Sequence, residues 1–229
     1  MSAPLHHIIP KERIGNLNDA IYAFSMTLLV TTISVPPKYD RITGGSPLPA
    51  ILTGVLPDLL HFFIAFIILA ILYYFEHQRF RHLRHLDRPL LCMNIASLSF
   101  VCLIPFTTNV AGDYPFDTLG AMLFEINILI IGMIAFFQIQ YLRNRRADLV
   151  PDLSPAWFRR EILWSLIFPA FAIFGLALAA INIPMSPVVF LVAPFIMAIL
   201  FGKEPAGTRG SRAGTMRERG PAPGQPSGS

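Results

Sequence analysis

The 229-residue chain has little charge, almost no cysteine and none of the short runs that mark common enzyme classes. Only 14% of its residues are charged, against roughly 25% in a soluble domain, while 54% are hydrophobic and the mean hydropathy is +0.56. This excludes a water-soluble globule and indicates an integral membrane protein. No glycine-rich phosphate loop, GxSxG or HExxH is present, so nothing points to nucleotide, hydrolase or zinc-protease chemistry. No catalytic residue, cofactor or metal is expected. The two cysteines, Cys92 and Cys102, lie ten residues apart in one apolar run. On a straight helix their α carbons would be ~15 Å apart, too far for a disulfide. They are expected to be buried, inert thiols. No cleavable leader, internal duplication or second domain is expected.

What is present is a series of apolar runs. Six transmembrane helices are expected, at about residues 13–35, 52–75, 89–110, 118–142, 161–182 and 185–202. Pro36 and Pro37 end the first run, and Pro57-Asp58 is read as the start of regular helix in the second. Tyr73, Tyr74 and Phe75 close the second run as an interfacial band, followed by a basic loop at 76–88. Pro105 predicts a kink, and 111–117 reads as a tight acidic turn. Residues 143–160 are basic again, with Trp157 and Trp164 at the return to the membrane. Residues 1–202 thus form one transmembrane domain. Residues 203–229 have too few apolar side chains to bury a core and are expected to be a disordered tail. The tail's arginines suit anionic lipid, and no nucleic-acid partner is expected.

Basic residues fix an orientation. Of the 18 lysines and arginines, all but Lys38 and Arg41 fall in the amino-terminal lead, the loops 76–88 and 143–160, or the tail. The positive-inside rule then places both ends in the cytoplasm of a multi-pass protein of the cell membrane, which requires an even number of spans.

The first span differs from the others. It carries Arg13, Asn16, Asn18 and Asp19 in its first third, and a charged group within a span normally faces protein or water. At about 100° per residue with Asp19 at zero, Asn16, Ala20, Phe24, Thr27, Leu28, Thr31 and Ser34 share one stripe, between about 60° and 180°. Such a stripe suits either close helix packing or a water- and ion-facing surface.

Two stretches resemble the transmembrane protein 175 family, potassium channels of lysosomes with prokaryotic homologues of one six-helix unit. The family's first helix opens with Arg-x-x-x-Phe-Ser-Asp. Here Arg13, Leu17, Asn18 and Asp19 stand in that frame, followed by AIYAFSMTLLV. The stretch YYFEHQRFRHLRHLDRPLLCMNIASLSFVCLIPFTTNVAGDY is similar to the family's second-to-third helix region. The resemblance covers roughly residues 11–145.

The resemblance implies an all-α homotetramer in the lipid bilayer, with the first helix of each copy lining a pore for potassium ions. By position it assigns the pore constriction to Phe24, Leu28 and Thr31, and ion selectivity to Thr27. It assigns coupling of the first helix to its neighbours to Arg13, Leu17, Asn18, Asp19 and Asn94. Asp19 is expected to be held by Asn94 or Asn109 on the third helix. Phe24 replaces an aliphatic residue and would narrow the pore, while Thr31 would soften the inner constriction.

Other polar residues in the runs are assigned lesser roles. His77, His82 and His85 share no helical face and are read as a polar loop rather than a metal site. Glu125 is placed near the outer interface. A proton-coupled secondary transporter working through Glu125 is the alternative. Asp58 and His61 share a side of the second span. The expected function is passive, potassium-preferring cation conduction.

Overall fold

The computed structural model describes residues 11–33, 47–114, 116–183 and 186–192. All of these belong to the unit Met1–Pro194, and the second unit, Phe195–Ser229, lies outside them. The expected tail, most of the sixth run and the Pro36-Pro37 breaker therefore also lie outside the described residues.

Every regular element among the described residues is helical. Helix α1 spans Lys11–Leu28 and closes in a 3-10 turn, Leu29–Thr32. Then come α2 (Pro47–His82), α3 (Arg88–Asp113), α4 (Thr118–Asn144), a single turn α5 (Arg146–Leu149), α6 (Pro155–Ala180) and a 3-10 segment, Ser186–Val192. Four stretches are long and apolar enough to cross a membrane: Leu52–His82, Arg88–Asp113, Thr118–Asn144 and Pro155–Ala180. They correspond to the second to fifth expected spans. Helix α1 carries Lys11, Glu12, Arg13 and Asp19 and is not among the four.

Several boundaries differ from expectation. Helix α2 is 36 residues long, runs through Pro57 and continues to His82, across half of the expected loop 76–88. The reason is an inward-facing ion pair three residues apart, Arg79 to Glu76, both buried. The helix stops at Leu83, whose carbonyl accepts from Lys11 Nζ at 2.8 Å. Helix α6 starts at Pro155, six residues earlier than expected, because Ser154 caps it and accepts from the Trp157 N–H at 3.2 Å. Helix α3 passes through Pro105 to Asp113, and helix α6 passes through Pro169.

Helix α4 packs between α3 and α6. The α4–α6 seam depends on two glycines. A Cβ at Gly132 would sit 2.5 Å from Pro169 Cδ, and one at Gly175 would sit 2.1 Å from the Glu125 carboxylate. Close approach of this kind is how helices associate where lipid is as apolar as the side chains. The main core joins Tyr22 and Leu29 to Ile64, Ile68, Leu98, Val101, Ile104, Phe124, Ile128 and Phe168. A second cluster, including Leu83, Leu86, Leu142, Leu149 and Phe158, gathers the α2–α3 and α4–α6 connections.

Cys92 and Cys102 are exposed rather than buried. Helix α3 turns Asn94, Leu98, Val101, Ile104 and Thr108 inwards, which leaves both thiols on the opposite surface. Hydropathy does not separate these two faces, because a thiol is as compatible with lipid as with a core.

Candidate functional site

Helix α1 is held along one narrow seam. Its buried residues are Asn18, Tyr22 and Ser25, continued by Leu29 in the 3-10 turn. The spacing of four, three and four is that of one helical face. The Asn94 amide donates to Asn18 Oδ1 at 2.9 Å, and the Asn18 amide returns a bond of 3.5 Å. The Tyr22 and Tyr73 rings lie 5.6 Å apart. The partner of Asn94 is therefore Asn18 and not Asp19. Asp19 lies about 100° away from Asn18 on the wheel, is exposed, and faces the Tyr73 side chain of α2. Asn109 serves the far end of α3, donating to Asp113 Oδ2 at 2.7 Å.

The opposite side of α1 is not covered by any other described element of the chain. Arg13, Asn16, Leu17, Ala20, Ala23, Thr27, Val30 and Thr31 are exposed there, Phe24 is 65% exposed and Leu28 is half-buried. Taking Asp19 as zero, the buried seam centres near −90° and this face near +90°. In a chain this hydrophobic, a face bearing an amide, an arginine and two hydroxyls is poorly matched to lipid.

The two hydroxyls have a defined polarity. Thr27 Oγ1 donates to the Phe24 carbonyl at 2.8 Å, and Thr31 Oγ1 donates to the Leu28 carbonyl at 2.6 Å. Each proton is engaged within the helix, so the oxygen lone pairs remain outward as acceptors. Weak oxygen ligands spaced a turn apart can replace part of a cation's hydration shell without trapping it.

Other polar groups group differently from expectation. Glu125 is fully buried in α4 against Gly175 of α6. Nearby, Asn127 donates to the Phe100 carbonyl at 3.2 Å and to Thr107 Oγ1 at 3.4 Å. Asp58 and His61 are both buried, with Asp58 against Gly112 and His61 Nδ1 2.8 Å from the Pro57 carbonyl. His77 is exposed, and His85 Nε2 lies 3.7 Å from Asp148 Oδ1. The sequence reading did not anticipate that Tyr73 meets Asp19, or that Glu161 is buried beside Arg79.

A family model described as endosomal/lysosomal potassium channel TMEM175 matches residues 13–105, which include most of α1, all of α2 and most of α3. Human TMEM175, named an endosomal/lysosomal proton channel, is 29% identical over 165 residues, covering 69% of this chain and 32% of the human protein. The chain thus spans about a third of that relative's length. A potassium channel of Streptomyces collinus is 26% identical over 102 residues, covering 44% of this chain and 48% of that one. The fold is similar to the crystal structure of a lysosomal potassium-selective channel TMEM175 homolog from Chamaesiphon minutus. The TM-score is 0.70 at 21% identity, covering 82% of this chain and 97% of the other.

Proposed function

We infer the function of this chain from its family: it belongs to the TMEM175 channels, and four copies would form a potassium-preferring cation channel in the cell membrane. The observation that carries this reading is the exposed stripe of α1, opposite its buried seam, with outward acceptor oxygens at Thr27 and Thr31. Four such stripes around an axis give a hydrated path with no moving carrier. Phe24 supplies the narrowest apolar level, backed a turn later by Leu28, while Thr27 supplies the oxygen ring that favours potassium and Thr31 a wider polar ring beyond. Asn18 and Asn94, together with Asp19 and Tyr73, hold each α1 in register, while Arg13 and Leu17 stand at the mouth. Six spans with both ends in the cytoplasm complete the unit over residues 1–202, followed by a tail at 203–229.

The reading is tested in liposomes loaded with potassium and driven by an imposed potential. Thr27→Cys should conduct until a cationic thiol reagent is added, and then lose at least about nine-tenths of its flux. Unchanged flux after complete labelling would remove α1 from the path. A second reading, proton-coupled transport, is favoured by the complete burial of Glu125 and by the proton-channel names of the mammalian relatives. It requires potassium flux that follows a pH gradient and falls in Glu125→Gln. The channel reading requires flux that follows potential at equal pH.

A further inference from the structure

Two pairs of consecutive residues on α1 lack a counterpart among the described residues of their own chain. Glu12 and Arg13 are exposed, and among the described residues neither has a hydrogen-bond or ion-pair partner. Ala23 and Phe24 are also exposed, one nearly without a side chain and the other bulky. Consecutive residues on an α-helix point about 100° apart. In a ring of four parallel helices, the directions from one helix to its two neighbours are about 90° apart. With Asp19 at zero, the bisector of Glu12 and Arg13 falls near 70°, and that of Ala23 and Phe24 near 90°. Asn16, Ala20 and Thr27 lie between about 60° and 100°. One rotation of the helix therefore turns Asn16, Ala20 and Thr27 to the axis and places both pairs on the flanks.

The flanks are complementary. The Glu12 side adjoins a cavity of about 400 Å³ between α1 and α2, lined by Glu12, Asn16, Asp19, Tyr73, Glu76 and Arg81, among others. Lys11, also on its wall, is engaged by the Leu83 carbonyl, and Glu76 by Arg79. Glu12 and Asp19 remain as exposed carboxylates facing a space large enough for a guanidinium, with Arg81 exposed at the rim. The base that fits lies on the other flank of the same helix, so a rotational ring satisfies every copy at once.

We propose, on the tetrameric reading above, that the flanks interlock: the partner's Arg13 enters the α1–α2 cavity beside Glu12, and the partner's Phe24 lies over Ala23. Arg13 is then a subunit-joining residue. Phe24 seals the seam between copies, so the small side chain of Ala23 sets how far its ring projects into the lumen.

The test uses the full chain in membranes with Cys92 and Cys102 replaced by alanine. Glu12→Cys combined with Arg13→Cys should, on oxidation, give a ladder of covalent dimer, trimer and tetramer. Either single variant carries one thiol per chain and stops at a dimer. In parallel, Glu12→Arg should lower potassium flux about tenfold, and Glu12→Arg with Arg13→Glu should restore it to within about twofold. If the charge variants fail to assemble, Ala23→Leu should lower flux by pushing the partner's Phe24 inwards, and adding Phe24→Ala should reverse the loss. No ladder, while Thr27→Cys is still blocked by the thiol reagent, overturns the interlock and leaves the pore reading standing. No ladder and no block overturn both.

Discussion

Helices α1 and α4 are built to opposite rules. Of the 27 residues of α4, 12 are buried, among them two glycines, a glutamate, an asparagine and a glutamine. Of the 18 residues of α1, three are buried. Helix α4 finds its neighbours in its own chain: α3 on one side, and α6 meshed against Gly132 on the other. Helix α1 carries polar and bulky groups on a face that no other described element covers. One helix completes the subunit, and the other has a surface that suits further copies. The difference predicts that substitutions in α4 change stability without changing ion preference, and that substitutions on the open face of α1 do the reverse.

The largest expected effect tests the first half of that contrast. Gly132→Ala places a methyl group 2.5 Å from the Pro169 ring, which is covalently stiff and cannot swing aside. Overpacking of this kind costs about 1–3 kcal/mol. The melting midpoint of the detergent-solubilised protein should fall by several degrees, while the potassium-to-sodium flux ratio of surviving channels stays constant. A variant as stable as the parent would show that α4 and α6 are not meshed here. The next effect tests the second half. Phe24→Ala should raise potassium flux in liposomes about tenfold, equivalent to about 1.4 kcal/mol in the barrier, with a smaller shift in the melting midpoint than Gly132→Ala gives. Equal flux would take Phe24 out of the constriction, and a large loss of stability would erase the contrast itself.

The helical class, most of the spans and the distinct character of α1 were legible because charge and hydropathy are one-dimensional signals. Asp19 in an apolar run marks a special helix whatever it touches. The same signals could not say which side of a helix meets protein. Cys92 and Cys102 were placed on the wrong side of that question, because the run around them is apolar all round. The choice between Asn18 and Asp19 as the partner of Asn94 turned on about 100° of rotation, which only α3 and α2 together determine. The end of α2 was misjudged for a related reason. EHQRFRH reads as a polar loop until Glu76 and Arg79 are seen to pair on its buried side.

That seam yields a smaller effect. Asn94→Ala removes both amide–amide bonds to Asn18, and intramembrane side-chain hydrogen bonds of this type contribute about 0.6 kcal/mol on average and up to about 1.7. Asn18→Ala should cost a similar amount, and the double variant no more than either alone. Strict additivity would mean that the two amides do not depend on each other. Because this pair lies on the one face of α1 that belongs to its own subunit, its loss should lower stability while leaving ion preference unchanged.

The smallest effect discriminates most finely within α1. Thr31→Val keeps shape and volume, deletes one outward acceptor oxygen, and removes the bond to the Leu28 carbonyl. That bond is exposed and internal to the helix, so stability should change by only a few tenths of a kcal/mol. If Thr31 forms a polar ring beyond the narrowest point, an apolar replacement makes that level harder to wet. Flux should then fall about twofold, with a potassium preference close to that of the parent. Thr27→Val, at the level assigned to ion preference, should instead shift the potassium-to-sodium ratio. Equal responses at the two positions would mean that the open face does not present successive levels to the passing ion, and the open face of α1 would then be a packing surface like that of α4.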